Sequence, residues 1–328
     1  MNRASMRTAA PLALSGVAIA GVGAYLGLLK PEMSPPADFR VEATPERIAR
    51  GRRLFALANC DGCHSPRDFS RFAGPVVEGG RGRGAVLPPE LGLSGFVVAP
   101  NITPDPESGI GRWTGGEKIR AIRDGIGRDG RALFPAMPYH AFRRMSDNDA
   151  ASLVAYLDSL PPARTALPRS RIRFPASLLM RLEPRPAGRV PEPDRSDPEA
   201  YGRYLVGLAG CDACHTPRLD GRPREGMRFA GGREFRLHGA LVVSANITPD
   251  PRTGLGAWQE SDFLQRVYQY RAYLRDGPPA VGPEGFTLMP WLNFSRLPPE
   301  DLKAIWRYLR TVKPVFHPVE TRPARAAG

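Results

Sequence analysis

Apolar side chains recur at the spacing of an α-helix in four segments of the chain, two in each half. Thr44 and Asp197 begin the first segment of each half, and each is followed by proline and glutamate. A capping side chain, a proline in the first turn and an early acidic residue are together typical of a helix start. Ser146 and Pro298 begin the other two segments, whose apolar faces end at prolines. The pattern therefore predicts a first and a last helix in each half.

A glycine interrupts the apolar pattern of each predicted first helix, Gly51 in one half and Gly202 in the other. Glycine inside a helix destabilises it by about 1 kcal/mol relative to alanine, so its presence at matching positions indicates that another element packs closely there. The last helix of the same half is the candidate for that element. A pair of crossed helices in each half predicts an all-α fold that is built twice.

Both predicted first helices lead into the same cysteine motif. The two copies are Cys60-Asp61-Gly62-Cys63-His64 and Cys211-Asp212-Ala213-Cys214-His215, which together contain all four cysteines of the chain. Cys-x-x-Cys-His is the attachment site of a c-type haem, because two thiols at this spacing reach the two vinyl groups of one porphyrin and the adjacent histidine reaches the iron. The sequence thus predicts two covalently bound haem c groups. The predicted thioether cysteines are Cys60, Cys63, Cys211 and Cys214, and the predicted iron ligands are His64 and His215.

Three other kinds of site use a Cys-x-x-Cys pair, namely a zinc site, a redox-active dithiol and a disulfide. None of them requires histidine at the next position. The motif also lies within a longer repeat, in which Asn101-Ile102-Thr103-Pro104-Asp105 matches Asn246-Ile247-Thr248-Pro249-Asp250 and a tryptophan follows at a fixed offset. Asn and Asp beside proline are turn formers, which explains this repeat better than the glycosylation sequon that Asn-Ile-Thr also matches. Haem attachment is the favoured interpretation.

The sixth ligand of each iron is predicted from methionines at matching positions. The offset from His64 to Met137 equals that from His215 to Met289 to within a single position, and each methionine precedes a proline. Methionine sulfur fills the sixth position in many electron-transfer haems, whereas an open position indicates ligand binding or catalysis. His140 is a competing ligand for the first haem, but no histidine follows Met289 at the same distance. We therefore predict Met137 and Met289 as the two axial ligands.

The N-terminal segment 1–30 predicts a membrane helix. Arg3 and Arg7 precede an uncharged stretch, residues 9–29, that is long enough as a helix to cross a bilayer. A cleaved signal peptide is the alternative, since Ala18-Ile19-Ala20 has the form of a cleavage site, although it lies in the middle of the stretch. We expect an uncleaved anchor in the inner membrane, with the basic end in the cytoplasm and the rest of the chain in the periplasm.

Composition divides the chain and limits its partners. The predicted divisions are the anchor (1–30), a Pro-rich spacer (31–43), domain 1 (44–162), a Pro/Arg-rich linker (163–195), domain 2 (196–313) and a flexible tail (314–328). The formal charge of +13 is carried almost entirely by arginine, and it suits anionic lipid or an acidic protein partner. No helix-turn-helix, zinc-finger or RNP pattern accompanies this charge, so nucleic acid is not an expected partner.

Several motifs taken together resemble those of known cytochromes. Each Cys-x-x-Cys-His continues as Ser/Thr-Pro-Arg, each Asn-Ile-Thr-Pro-Asp loop ends in Gly-x-Trp, and the segments 134–139 and 145–147 read Phe-Pro-Ala-Met-Pro-Tyr and Met-Ser-Asp. With this set, residues 44–313 resemble the cytochrome c subunits of membrane-bound bacterial dehydrogenases that oxidise alcohols, gluconate or sorbitol, and each half resembles a class I cytochrome c. Those subunits typically have three haem motifs and a C-terminal anchor, whereas this chain has two motifs and a predicted N-terminal anchor.

The resemblance implies ligands and a role. One haem would be held by Cys60, Cys63, His64 and Met137, and the other by Cys211, Cys214, His215 and Met289. The chain would be an electron-transfer subunit rather than an enzyme by itself, accepting electrons from a periplasmic or membrane-bound dehydrogenase and passing them to quinone, a soluble cytochrome or a terminal oxidase. Two alternatives stay open: a diheme peroxidase-type enzyme, which needs one open haem position, and the cytochrome c subunit of a terminal oxidase.

Overall fold

Crossed helices form the frame of each half. The computed structural model describes residues 30–36 and 41–323. The helices of the first half are α1 (Pro45–Leu57), α2 (Asp61–His64), α3 (Gly115–Asp124), α4 (Tyr139–Phe142) and α5 (Asp147–Asp158), followed in the linker by α6 (Ala176–Leu179). The helices of the second half are α7 (Pro198–Ala209), α8 (Cys211–His215), α9 (Glu260–Tyr268), α10 (Ala272–Asp276), α11 (Trp291–Phe294) and α12 (Pro299–Thr311). Helix α1 packs against α5, and α7 packs against α12.

Short antiparallel strand pairs tie the loops together. The strands are β1 (Ala85–Val86), β2 (Gly95–Phe96), β3 (Val98–Ala99), β4 (Arg171–Ile172), β5 (Arg218–Leu219), β6 (Arg222–Pro223), β7 (Glu234–Leu237) and β8 (Ala240–Val243). They pair as β1 with β3, β2 with β4, β5 with β6 and β7 with β8. The prediction of an all-α fold is therefore wrong, since only 37% of the described residues are helical and several short strands accompany the helices.

The predicted N-terminal membrane helix, residues 9–29, lies outside the described residues. Among the helices of the described ranges, none combines the length and the apolar character that a bilayer crossing requires. The longest of them, α1 and α12, have 13 residues each, which corresponds to about 20 Å against the ~30 Å of a hydrocarbon core. The described helices therefore do not support the predictions of a single N-terminal anchor and of an inner-membrane location, and both are corrected.

The predicted helix starts are confirmed by the capping contacts. Helix α1 begins at Pro45, and the hydroxyl of Thr44 accepts a hydrogen bond from the amide of Arg47 at 3.2 Å. Helix α7 begins after Asp197, whose carboxylate accepts hydrogen bonds from two amides of the first turn. Ser146 caps α5 in the same way. These starts depend only on neighbouring residues, which is why the sequence alone predicts them.

The close approach predicted at the two helix glycines is also confirmed. A Cβ atom placed on Gly51 would lie 1.9 Å from the carbonyl oxygen of Ser152 in α5. A Cβ atom on Gly202 would lie 1.9 Å from the carbonyl oxygen of Ala304 in α12. Only glycine allows the backbones to approach so closely, so the crossing of the first and last helices in each half depends on it.

One cluster of buried apolar side chains runs through both halves. Beside it, a carboxylate at the start of each last helix joins the two halves. Asp149, which is 2% exposed, accepts hydrogen bonds from Arg50 of its own half and from the hydroxyl of Tyr204 in the other half. The carboxylate of Asp149 therefore accepts hydrogen bonds from α1 of the first half and from α7 of the second half.

The second carboxylate repeats this arrangement with different donors. Asp301, which is 1% exposed, accepts a hydrogen bond from Tyr201 of its own half at 2.8 Å. Its Oδ2 atom lies 3.5 Å from Nε of Arg53 in the first half. The positions correspond in the repeat, so the two halves contact one another around an approximate two-fold relationship, with arginine and tyrosine exchanged.

The buried carboxylate of Asp301 predicts a pH dependence of stability. Burial raises its pKa above the ordinary value of 3.8, against the opposing effects of Arg53 and Tyr201. The folded state then binds the proton more readily than the unfolded state, so the free energy of unfolding rises as the pH falls through the folded pKa. We expect the wild-type protein to gain stability relative to Asp301→Asn between pH 7 and pH 4 in urea denaturation. A difference that stays constant or shrinks as the pH falls would contradict this.

Candidate functional site

The first cysteine motif forms one helical turn at the end of α1. The amides of Cys63 and His64 donate hydrogen bonds to the carbonyl of Cys60 at 3.3 and 2.9 Å. In the second half, α8 places the corresponding residues on one turn as well. In neither motif are the two cysteines joined as a disulfide.

An aspartate follows the first cysteine of each motif and fixes the turn. Asp61 is buried and accepts a hydrogen bond from the hydroxyl of Ser65 at 2.8 Å, and its Oδ2 lies 3.3 Å from Nε of Arg81. In the second half the same contacts are made by Asp212, Thr216 and Arg228. The recurrence of aspartate and of Ser/Thr at the same places in both motifs is the signal in the sequence that marks this supporting role, which the haem-binding pattern alone does not predict.

Each motif histidine is oriented by a backbone carbonyl. Nδ1 of His64 lies 2.8 Å from the carbonyl oxygen of Pro100, and Nδ1 of His215 lies 2.8 Å from that of Ala245. A carbonyl can only accept, so each Nδ1 carries the hydrogen and each Nε2 keeps its lone pair. Metal-binding histidines are commonly held in this way, since the bond fixes the tautomer and the ring orientation.

The repeated Asn-Ile-Thr loop supplies those carbonyls, because Pro100 and Ala245 immediately precede it. Asn101 is 3% exposed, and its Oδ1 accepts hydrogen bonds from the amide and the hydroxyl of Thr103 at 2.9 and 2.7 Å. The second copy forms the same two bonds around Asn246. The turn explanation of this repeat is confirmed, and its use in orienting the histidines is a role that the motif spacing did not predict.

Burial shifts the pKa values of the motif side chains. It raises the pKa of the thiols, that of Cys211 to about 12. Within the described ranges, no three or more His, Cys, Asp or Glu side chains group together as a metal site. Burial also lowers the pKa of His64 and His215, so each imidazole is neutral, the form that binds a metal.

The two predicted methionine ligands lie in matching turns. Met137 and Met289 are half-buried and pack against the same core cluster as Cys60 and Cys211. The carbonyl of Met137 accepts a hydrogen bond from the amide of Tyr139 at 2.8 Å, and that of Met289 accepts one from the amide of Trp291 at 2.8 Å. Each half thus offers two thiols for attachment to a porphyrin, with an oriented imidazole and a methionine sulfur as candidate iron ligands, and these groups fit a haem c.

Three histidines lie outside the two cysteine motifs and could in principle compete as iron ligands. The side chain of His140 is exposed, beside Tyr139. His238 is exposed and stacks on Phe69, with ring centroids 4.5 Å apart. Nδ1 of His317 lies 2.9 Å from the carbonyl oxygen of Ala230. These positions indicate surface or supporting roles for all three histidines.

Several known proteins similar to this chain are named as cytochromes c or cytochrome c subunits. A family model described as cytochrome c matches residues 48–161. The diheme cytochrome c-type protein of Cereibacter sphaeroides is 33% identical over 314 residues, which cover 94% of this chain and 99% of the relative. The cytochrome c subunit of alcohol dehydrogenase (quinone) from Gluconacetobacter polyoxogenes is 33% identical, covering 84% of this chain and 58% of the subunit.

Another relative is a longer protein. A nicotinate dehydrogenase subunit from Pseudomonas putida is 33% identical over 317 residues, or 90% of this chain, but the match covers only 24% of that subunit. The chain thus spans 24% of the nicotinate dehydrogenase subunit, 58% of the alcohol dehydrogenase subunit and almost the whole of the diheme cytochrome. The oriented histidines and these similarities agree: the chain belongs to the cytochrome c family and is an electron-transfer cytochrome with covalently bound haem c.

Proposed function

We propose that the chain is a diheme electron relay, with one haem in residues 44–162 and one in residues 196–313. Cys60, Cys63, His64 and Met137 would hold the first haem, and Cys211, Cys214, His215 and Met289 the second. The observation that carries this proposal is the repetition of the histidine contact, Nδ1 to a carbonyl at 2.8 Å in both halves. A single functional haem site would not require the second contact.

Each group of residues has a separate task. When bound, the haem supplies an iron that is reversibly oxidised and reduced by one electron. The cysteines would hold the porphyrin through thioether bonds, and the carbonyls of Pro100 and Ala245 fix the orientation of the imidazole rings. Met137 and Met289 would serve as the further iron ligands, and methionine ligation favours a high reduction potential. Thioethers and neutral imidazoles would add no charge to the site.

The donor we propose is a dehydrogenase. Two relatives are named as cytochrome c subunits of alcohol dehydrogenase (quinone) and of gluconate 2-dehydrogenase. A partner with an acidic face would be attracted by the formal charge of +13, in a salt-dependent way. Quinone, a soluble cytochrome or a terminal oxidase would accept the electrons. The peroxidase-type alternative depends on His140, whose exposed position gives it no support.

The count of haems tests this proposal. We expect the purified holoprotein to contain two haem c groups per chain, measured as the pyridine haemochrome against total protein. The Cys60→Ala/Cys63→Ala variant and the Cys211→Ala/Cys214→Ala variant should each retain one. One haem in the wild-type protein, or no loss in either variant, would contradict the diheme assignment.

A further inference from the structure

A loop of the first half docks on the second half. This docking loop, residues 68–76, follows the first haem motif. The amide of Phe72 donates a hydrogen bond to the carbonyl of Pro279 at 2.9 Å, and the amide of Val281 donates one to the carbonyl of Ser70 at 2.8 Å. Nη1 of Arg71 donates to the carbonyl of Pro278 at 3.2 Å. The docking loop and residues 278–281 are thus paired in the manner of two antiparallel strands.

Aromatic contacts extend this pairing to both sides of Met289. Phe69 packs on Phe286, just before the methionine in the chain, with ring centroids 5.6 Å apart. Phe72 stacks on Tyr270 at 5.0 Å, and Tyr270 contacts Trp291, just after the methionine, at 5.1 Å. Because aromatic pairs prefer defined geometries, these contacts restrict the turn that carries Met289.

A polar contact completes the attachment. The side-chain amide of Asn293, in α11 just after Met289, donates a hydrogen bond to Oδ1 of Asn59 at 2.9 Å. Asn59 immediately precedes the first haem motif. The helix that follows the second methionine is therefore tied directly to the first haem motif.

The turn of the first methionine is fixed by different contacts, although α4, which follows it, also packs against α7 of the second half. Tyr139, which follows Met137 closely, is fully buried and lies where a Cβ on Gly125 would touch its ring at 2.6 Å. The loop of the second half that corresponds to the docking loop forms the β5–β6 hairpin, where Leu219 is 67% exposed. The positions that correspond to Asn59 and Asn293 are glycine and alanine, which have no side-chain amide. The two halves are thus unequal at this point.

We infer that Phe72 is a positioning residue for Met289, so that the sixth ligand of the second haem is held by the first half of the chain. This inference rests on the proposed ligation by Met289. Phe72 does not touch the ligand itself, and acts through Tyr270, Trp291 and the backbone pairing. Without it, the Met289 turn would leave the iron position more often and admit a competing ligand.

Binding of imidazole to the oxidised holoprotein measures how often a methionine leaves its iron. We expect Phe72→Ala to increase imidazole affinity by about tenfold at one haem, the size of effect expected when an aromatic pair is lost, and to lower the potential of that haem only. Phe72→Tyr keeps the ring and should show the imidazole affinity and the reduction potentials of the wild-type protein. Leu219→Ala, in the corresponding exposed loop, is the matched control and should change neither haem.

Met289→Ala separates failure of the inference from failure of the ligand assignment. If Met289→Ala leaves imidazole binding unchanged at both haems, the ligand assignment is wrong. The positioning role is overturned if Met289→Ala increases imidazole binding at one haem while Phe72→Ala increases it at neither haem, or at both haems equally. Haem content and circular dichroism report folding of each variant, and Phe72→Leu replaces Phe72→Ala should the alanine variant fail to fold.

Discussion

Gly202→Ala is expected to lower the free energy of unfolding by about 3 kcal/mol. The added methyl group would lie 1.9 Å from the carbonyl oxygen of Ala304 and 2.9 Å from Cβ of Tyr308. Neither the backbone of α12 nor the Cβ of a buried tyrosine can turn aside as the end of a flexible side chain could. Helices α7 and α12 must therefore separate, which loosens the packing of the core cluster around Leu205 and Leu309. Urea denaturation followed by circular dichroism measures the loss.

The same helix contains its own control. Gly207 lies in α7, is exposed, and has nothing within 4 Å of the position that a Cβ would take. Gly207→Ala should therefore stabilise the protein by about 1 kcal/mol, because alanine favours the helix and meets no obstacle. Equal effects of the two substitutions would show that helix propensity, not the close approach to α12, governs Gly202. Gly51→Ala should resemble Gly202→Ala, since Ser152 lies at the same 1.9 Å.

Met137→Ala is expected to abolish the methionine-ligated, low-spin spectrum of one haem and to leave the other unchanged. Alanine offers no ligand, so water or an exogenous ligand would take the sixth position. The reduction potential of that haem should fall by a substantial part of the about 0.8 V over which axial ligands tune haem iron. Visible absorption of the oxidised holoprotein and a redox titration report both changes.

Met180→Ala is the control for that experiment. Met180 is also half-buried, but it follows α6 in the linker and has no partner in the repeat. Its substitution should leave both haem spectra and both potentials as they are. If both methionine-ligated spectra persist in Met137→Ala, another methionine is the ligand and the assignment of the first axial ligand is wrong.

The parts of the fold that depend on neighbouring residues were predictable, and those that depend on distant ones were not. The caps at Thr44 and Asp197 act within one helical turn, so they can be predicted from the local sequence. The strands did not appear in the pattern because they are two to four residues long, too short for an alternation of apolar and polar positions. Strand β4 moreover pairs with β2 although α3, α4 and α5 lie between them in the chain.

In the candidate site, too, some features could be predicted from the sequence and others could not. Matching offsets within a repeat were enough to predict the cysteine, histidine and methionine positions as ligands. The carbonyls of Pro100 and Ala245 could not be predicted, because a backbone acceptor leaves no mark in the sequence beyond the turn that presents it. The docking loop could not be predicted either, since nothing near Phe72 indicates that its partners, Tyr270 and Pro279, lie in the other half of the chain.

The exchanged donors at Asp149 and Asp301 have a consequence for how the two repeats can diverge. Each carboxylate keeps one donor from its own repeat and takes another from its twin, Tyr204 in one case and Arg53 in the other. A substitution at Arg53 therefore changes the surroundings of a residue in the other repeat. Each copy therefore constrains the substitutions that the other can accept.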